Sequence, residues 1–215
     1  MKTVNIIYIL DSSSSMRGGK YDEGRDGFVQ DIQDLIKSTE IKYTFTLIEF
    51  SQHVQVRYFK ETDYEKVLDI TSGLTTMGGM TALNDAIGHT IVELLKHNVH
   101  GDGNIVSIIT DGAENCSKKY KFNDIKTMIS VLEDLSYTVT FVGTNFDTQA
   151  AIGNYGISKN NTLAHDNTAD GFRHLSNARR ASISSYSNKF AAGAGLESLT
   201  SGFYNDNDTT NHSVK

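Results

Sequence analysis

Asp11, Ser13 and Ser15 stand at alternate positions directly after the apolar run 4–10. In an extended loop such positions point the same way, so one carboxylate and two hydroxyls can converge. Thr81 follows Gly78-Gly79, whose missing side chains let backbone come close to a site. Asp111 ends a second apolar run, 105–109, inside Thr110-Asp111-Gly112. Five oxygen ligands with no nitrogen or sulfur among them describe a site for a hard cation, Mg²⁺ or Mn²⁺. Two carboxylates facing a divalent charge leave it near neutral, with a coordination position open to an outside ligand. Thr75 and Thr76 are rival hydroxyls but precede the glycines, so Thr81 is preferred.

Positioning these groups is the work of buried strands and amphipathic helices. The run 4–10 is nearly continuous apolar and β-rich, as in a strand covered on both faces. Phe28, Ile32, Leu35 and Ile36 recur at helical spacing, predicting a helix over about 22–37. A strand follows at 43–50. In 53–59, Val54, Val56 and Tyr58 alternate with His53, Gln55 and Arg57, which suits an antiparallel edge strand with one wet face. Helices are expected at 64–70, through Leu83 to Leu95, through Ile125 to Leu135, and around 148–154. Strands are expected at 105–109, 138–142 and near 162–164, and a Ser-rich last helix runs through Phe172 and Tyr186. Strands alternating with helices mean an α/β fold: a doubly wound, mostly parallel sheet with one antiparallel edge strand and helices on both faces. In such sheets ligands bind beyond the carboxyl ends of the strands, where strand order reverses. Asp11 and Asp111 both fall at that end. One domain is expected over 1–190, with a polar tail at 191–215 that is mobile at least from 205.

Composition narrows the function. The 215 residues are 38% hydrophobic, enough for a core, and carry a formal charge of −6, which argues against nucleic acid as a partner. The single cysteine, Cys116, cannot form an intrachain disulfide, and the N-terminal apolar run is too short to span a bilayer. The expectation is a cytoplasmic protein without membrane contact. Proline is absent, so turns fall to Gly, Asn, Asp and Ser.

Asp11-Ser12-Ser13-Ser14-Ser15, Gly79-Met80-Thr81 and Thr110-Asp111-Gly112 together resemble the metal-ion-dependent adhesion site (MIDAS) of von Willebrand factor A-type domains. The match runs over about 3–165, in the family's order. The resemblance implies the same doubly wound fold. It implies that Ser13, Ser15 and Thr81 bind the ion directly, Asp11 and Asp111 directly or through water, and that an acidic residue of a protein partner completes the coordination. Ser14 replaces a glycine found in many members, which stiffens the loop. The small size resembles intracellular bacterial or phage members.

The remaining features have plainer readings. Glu114 and Asn115 are expected to line the rim or cap the next segment. His97 and His100 lack a third ligand nearby and read as a solvated helix end. Arg173, Arg179, Arg180 and Lys189 read as a solvated basic face of the last helix, Cys116 as an inert loop thiol, and Thr81 as lying at an exposed helix start. The leading function is a non-enzymatic, metal-dependent protein-binding module. One alternative is a magnesium-dependent phosphoryl-transfer enzyme of haloacid-dehalogenase type with Asp11 as nucleophile. That chemistry needs an acid two residues later, where Ser13 stands. A second alternative keeps the fold as a subunit of a larger ATPase or chelatase assembly.

Overall fold

The computed structural model describes residues 2–97, 103–200 and 202–204. Six strands form one sheet in the order β3-β2-β1-β4-β5-β6. Strand β1 (Lys2–Asp11) occupies the middle, parallel to β2 (Ile41–Phe50) on one side and β4 (Gly103–Ile109) on the other. β5 (Tyr137–Thr144) and β6 (Thr162–His165) extend the parallel part, and β3 (Val54–Glu61) is the antiparallel edge. The expected fold class is the observed one.

Alternation along β1 feeds two cores. Val4, Ile6, Tyr8 and Leu10 enter one cluster, whereas Ile7 and Ile9 enter the other. On the first face lie α1 (Lys20–Leu35) and α6 (Ala169–Ala191), packed against each other, with α2 (Tyr64–Ser72) beside α1. On the second lie α3 (Leu83–Lys96), α4 (Phe122–Asp134) and the short α5 (Asn145–Ala150), which continues into a π turn at Ala151–Tyr155. Gly27 makes the α1–α6 approach possible: a Cβ there would come within 2.2 Å of Ser176 Oγ. Among the described residues no helix is long and apolar enough to cross a membrane.

Three sequence expectations change. Strict alternation fails in β3, where Val56 is 46% exposed while Arg57 turns inward to Glu49 Oε2 at 2.6 Å. Register shifts between Phe45 and Ile48 are the cause, since a bulge inverts which residues face the core. The basic face of α6 is only partly solvated. Arg173 is exposed, but Arg179 is fully buried and donates through Nε and Nη2 to Asp31 Oδ2 at 2.9 and 2.8 Å. Arg180 Nε and the Tyr8 hydroxyl complete the shell of Asp31 at 3.0 and 3.2 Å. Finally, the segment after Ala191, expected as a polar tail, forms a helical turn α7 (Leu196–Thr200) and buries Leu199, Phe203 and Tyr204 against the first core. Asn161 pins it by donating to Thr200 O at 2.8 Å and accepting from Phe203 N at 3.0 Å. The expectation of mobility from 205 lies outside the described residues.

Candidate metal centre

The chain runs from β1 out to α1 and returns through β2 and β3, then crosses to β4 on the opposite side of β1. The strand order therefore reverses between β1 and β4, which pair from Val4↔Gly103 to Leu10↔Ile109. Asp11 and Asp111 sit just past this pairing, at the crevice where a doubly wound sheet receives ligands.

Local hydrogen bonding makes the site from three loops. Asp11 is wholly buried. Its Oδ1 accepts from Ser13 N at 2.7 Å and its Oδ2 from Thr110 Oγ1 at 2.6 Å. The first bond turns the chain sharply into a 3-10 turn at Ser14–Met16, bringing Ser13 Oγ to 2.9 Å from Ser15 Oγ. Loop 77–79 is stitched onto that turn: Met77 N donates to Ser12 Oγ, Gly78 N to Ser12 O, Ser14 N to Gly79 O and Gly79 N to Ser14 Oγ, all within 2.7–3.0 Å. Gly78 and Gly79 hold φ of +74° and +93°, a left-handed backbone that side chains resist. The stitch delivers Thr81, which Asn115 then clamps by accepting from Thr81 N at 2.9 Å and donating its own N–H to Thr81 O at 3.0 Å.

Gly112 marks the point of convergence. A Cβ placed on it would lie 3.0 Å from Thr81 Oγ1, 3.1 Å from Ser15 Oγ and 3.4 Å from Asp11 Oδ2. Side-chain oxygens from two loops thus face one small space against Gly112 of a third. Asp11, Thr81 and Asp111 are buried and Ser15 is exposed, so the space opens toward solvent on the Ser15 side. Thr81 is only 3% exposed, not at an exposed helix start, because its backbone is clamped between two loops.

Asp111 completes the set in a different way. Its Oδ1 is buried without a hydrogen-bond partner among the described residues, and its Oδ2 is held by the Lys20 ammonium, which also reaches Asn167 Oδ1 at 2.8 Å. Burial pushes the Asp11 carboxyl up to about 6, against the opposing hydrogen bonds from Thr110 and Ser13 and with a further upward push from the Asp111 charge. An orphaned carboxylate oxygen on Asp111 and two neighbouring carboxyl groups with one ammonium between them leave negative charge in excess of its local partners. A small divalent cation fits that donor set. Among the described residues no three His, Cys, Asp or Glu side chains gather, so hydroxyls must supply the remaining ligands.

Several residues of the site escaped the sequence reading. Thr110, adjacent to Asp111, orients Asp11. Lys20 sits nine residues past Asp11 with no motif to flag it. Glu114 does cap the next segment, accepting from the N–H groups of Asn84, Cys116 and Ser117 and from the Ser117 hydroxyl. His97 caps α3 at the end opposite Thr81, with its ring 4.9 Å from Phe59, while His100 lies outside the described residues. Cys116 is a half-buried free thiol whose pKa burial raises, which lowers its thiolate fraction.

Comparisons with known proteins agree with this architecture. The model of the von Willebrand factor type A domain matches residues 5–180. Cochlin of Mus musculus is 27% identical over 150 residues, and cochlin of Cavia porcellus 28%; each match covers 66% of this chain. The matched region is about a quarter of the length of those relatives, 25% of each. Among solved structures, proximal thread matrix protein 1 from the mussel byssus superposes with a TM-score of 0.62 at 14% identity, over 82% of this chain and 44% of that one. The same protein with a zinc-occupied MIDAS motif gives 0.61 at 20% identity, over 82% and 46%. At such identities these structures speak for the fold, and the sequence match for the lineage: the chain belongs to the von Willebrand factor type A domain family.

Proposed function

We propose that this domain is a non-enzymatic protein-binding module that works through a divalent ion, Mg²⁺ or Mn²⁺, held by Asp11, Ser13, Ser15, Thr81 and Asp111. The observation that carries the reading is the oxygen-lined space at Gly112, together with the buried Oδ1 of the adjacent Asp111, which has no hydrogen-bond partner among the described residues. When bound, the ion supplies a local positive charge and an open coordination position for a partner's carboxylate. The chain's own residues do the rest. Thr110 and Ser13 N fix the Asp11 carboxylate, the 77–79 stitch and Asn115 hold Thr81, and the exposed Ser15 edge leaves an approach for the partner. With a net charge of −6, an acidic partner meets repulsion unless the ion reverses the sign locally, which makes association metal-dependent. A cytoplasmic location and a bacterial or phage source belong to the same proposal; the lone cysteine, unable to form an intrachain disulfide, supports the first.

The test is thermal unfolding with increasing magnesium or manganese. At ten times the dissociation constant, linkage adds about 1.4 kcal/mol, or about 3–6 °C for a domain of this size. Asp11→Ala removes most of that shift. A shift that survives Asp11→Ala places the ion elsewhere, and sustained phosphoester hydrolysis lost in Asp11→Asn makes the protein an enzyme instead.

A further inference from the structure

Beside the oxygen-lined space lies a second concavity of about 210 Å³, lined by Leu83, Ala113, Phe122, Phe141 and Tyr155 and bordered by Gly112. It is smaller than the roughly 300 Å³ at which small-molecule sites begin, and suits one large side chain. Its wall is mostly carbon. Its charged groups and the Tyr155 hydroxyl are already engaged, and the exposed Asn154 adds an uncharged amide. Glu114 accepts from Asn84 N, Cys116 N, Ser117 N and the Ser117 hydroxyl, Asp147 takes the Thr144 hydroxyl at 2.5 Å, and the Tyr155 hydroxyl donates to Asn84 Oδ1 at 2.8 Å. The concavity therefore has two anionic walls and no unengaged cation among its lining residues, which excludes a second carboxylate and favours a neutral apolar group. Phe122 leaves 38% of its surface exposed at the mouth, an uncovered aromatic face.

Gly112 is shared by both places. The same residue whose Cβ position lies 3.0–3.4 Å from Thr81, Ser15 and Asp11 oxygens also walls the apolar concavity. A ligand whose carboxylate is drawn to the first has its neighbouring atoms over the second. We infer that the partner recognised here is a peptide segment carrying a carboxylate with a large apolar side chain (Leu, Ile, Met or Phe) within two positions of it, the apolar group entering the concavity between α3, α4 and the π turn. This rests on the metal-dependent reading above and adds a specificity pocket to it. The carboxylate provides dependence on the ion, and the pocket discriminates among acidic sequences.

The experiment is selection from a displayed random heptapeptide library on the full chain in magnesium, followed by affinity measurement of the enriched synthetic peptides. The expected result is enrichment of an acidic residue with an apolar residue one or two positions away. Replacing that apolar residue by glycine then weakens binding about tenfold or more, the effect of losing one buried large side chain. Ala150→Leu, which fills the concavity from its edge, weakens the same peptides to a similar extent and leaves the magnesium-induced thermal shift unchanged; Phe122→Ala, at the exposed mouth, is the second variant and also weakens them. Chelator-sensitive binding with no apolar preference overturns the pocket and leaves the ion. Apolar-selective binding that survives chelation overturns the ion and leaves the pocket. A selection that returns no acidic-apolar pattern, or variants that bind the peptides unchanged, overturns the inference.

Discussion

Arg179→Met strips the cation from the most deeply buried ion pair of the fold. Asp31 is 0% and Arg179 1% exposed, and three donor groups of two arginines converge on the one carboxylate, which also takes the Tyr8 hydroxyl. The guanidinium also lies 4.6 Å from the Phe28 ring centroid, itself stacked on Tyr8 at 3.8 Å. Breaking one side of a buried pair leaves an uncompensated charge and costs about 3–5 kcal/mol. Arg180 still reaches Asp31 Oδ1, so the lower end, about 3 kcal/mol, is expected. For a domain of this length that lowers the melting temperature by about 6–12 °C. Urea unfolding measures it directly. Arg180→Met, whose side chain is 24% exposed, should cost about 1 kcal/mol or less. The double variant Asp31→Leu/Arg179→Met should recover part of the loss, because no buried charge is left without a partner while the buried Tyr8 hydroxyl loses its acceptor. A loss below about 1 kcal/mol for Arg179→Met, or a larger loss for Arg180→Met, refutes the reasoning, since burial rather than pairing alone sets the magnitude.

Gly112→Ala pushes a methyl group to 3.0 Å from Thr81 Oγ1 and 3.1 Å from Ser15 Oγ; calorimetric titration should show magnesium binding abolished while circular dichroism remains native. Lys20→Met removes a competing cation from Asp111, so magnesium affinity in low salt should rise by about tenfold, the effect of removing about 1–2 kcal/mol of repulsion at short range; an unchanged or weaker affinity contradicts the competition. Gly88→Ala drives a Cβ to within 2.4–2.7 Å of the Tyr120 ring, and differential scanning should register about 1–3 kcal/mol of overpacking. Phe203→Ala tests the packing of the C-terminal segment: removing a 6% exposed ring should cost about 3 kcal/mol or more in urea unfolding, whereas a free tail would show no change.

The continuous apolar runs in β1 and β4 identify buried parallel strands without reference to anything distant, because a strand covered on both faces has no polar positions to spare. The oxygen-bearing residues after them are equally visible by type and order, although the chain there closes into a 3-10 turn at Ser14–Met16 where an extended loop is expected. Thus the fold class and the five candidate ligands could be read from residue type and order. What only the tertiary structure decided depends on partners far apart in the chain. Arg179 reads as solvated from its own helix, and only the meeting of α6 with Asp31, 148 residues away, makes it a buried counter-ion. Lys20 gains its place at Asp111 from across 91 residues, and Phe203 enters the core only because α6 and the 160–161 turn leave room for it. Charge pairing and cavity shape are sums over non-local neighbours, and periodicity in one segment carries no record of what the fold brings against it.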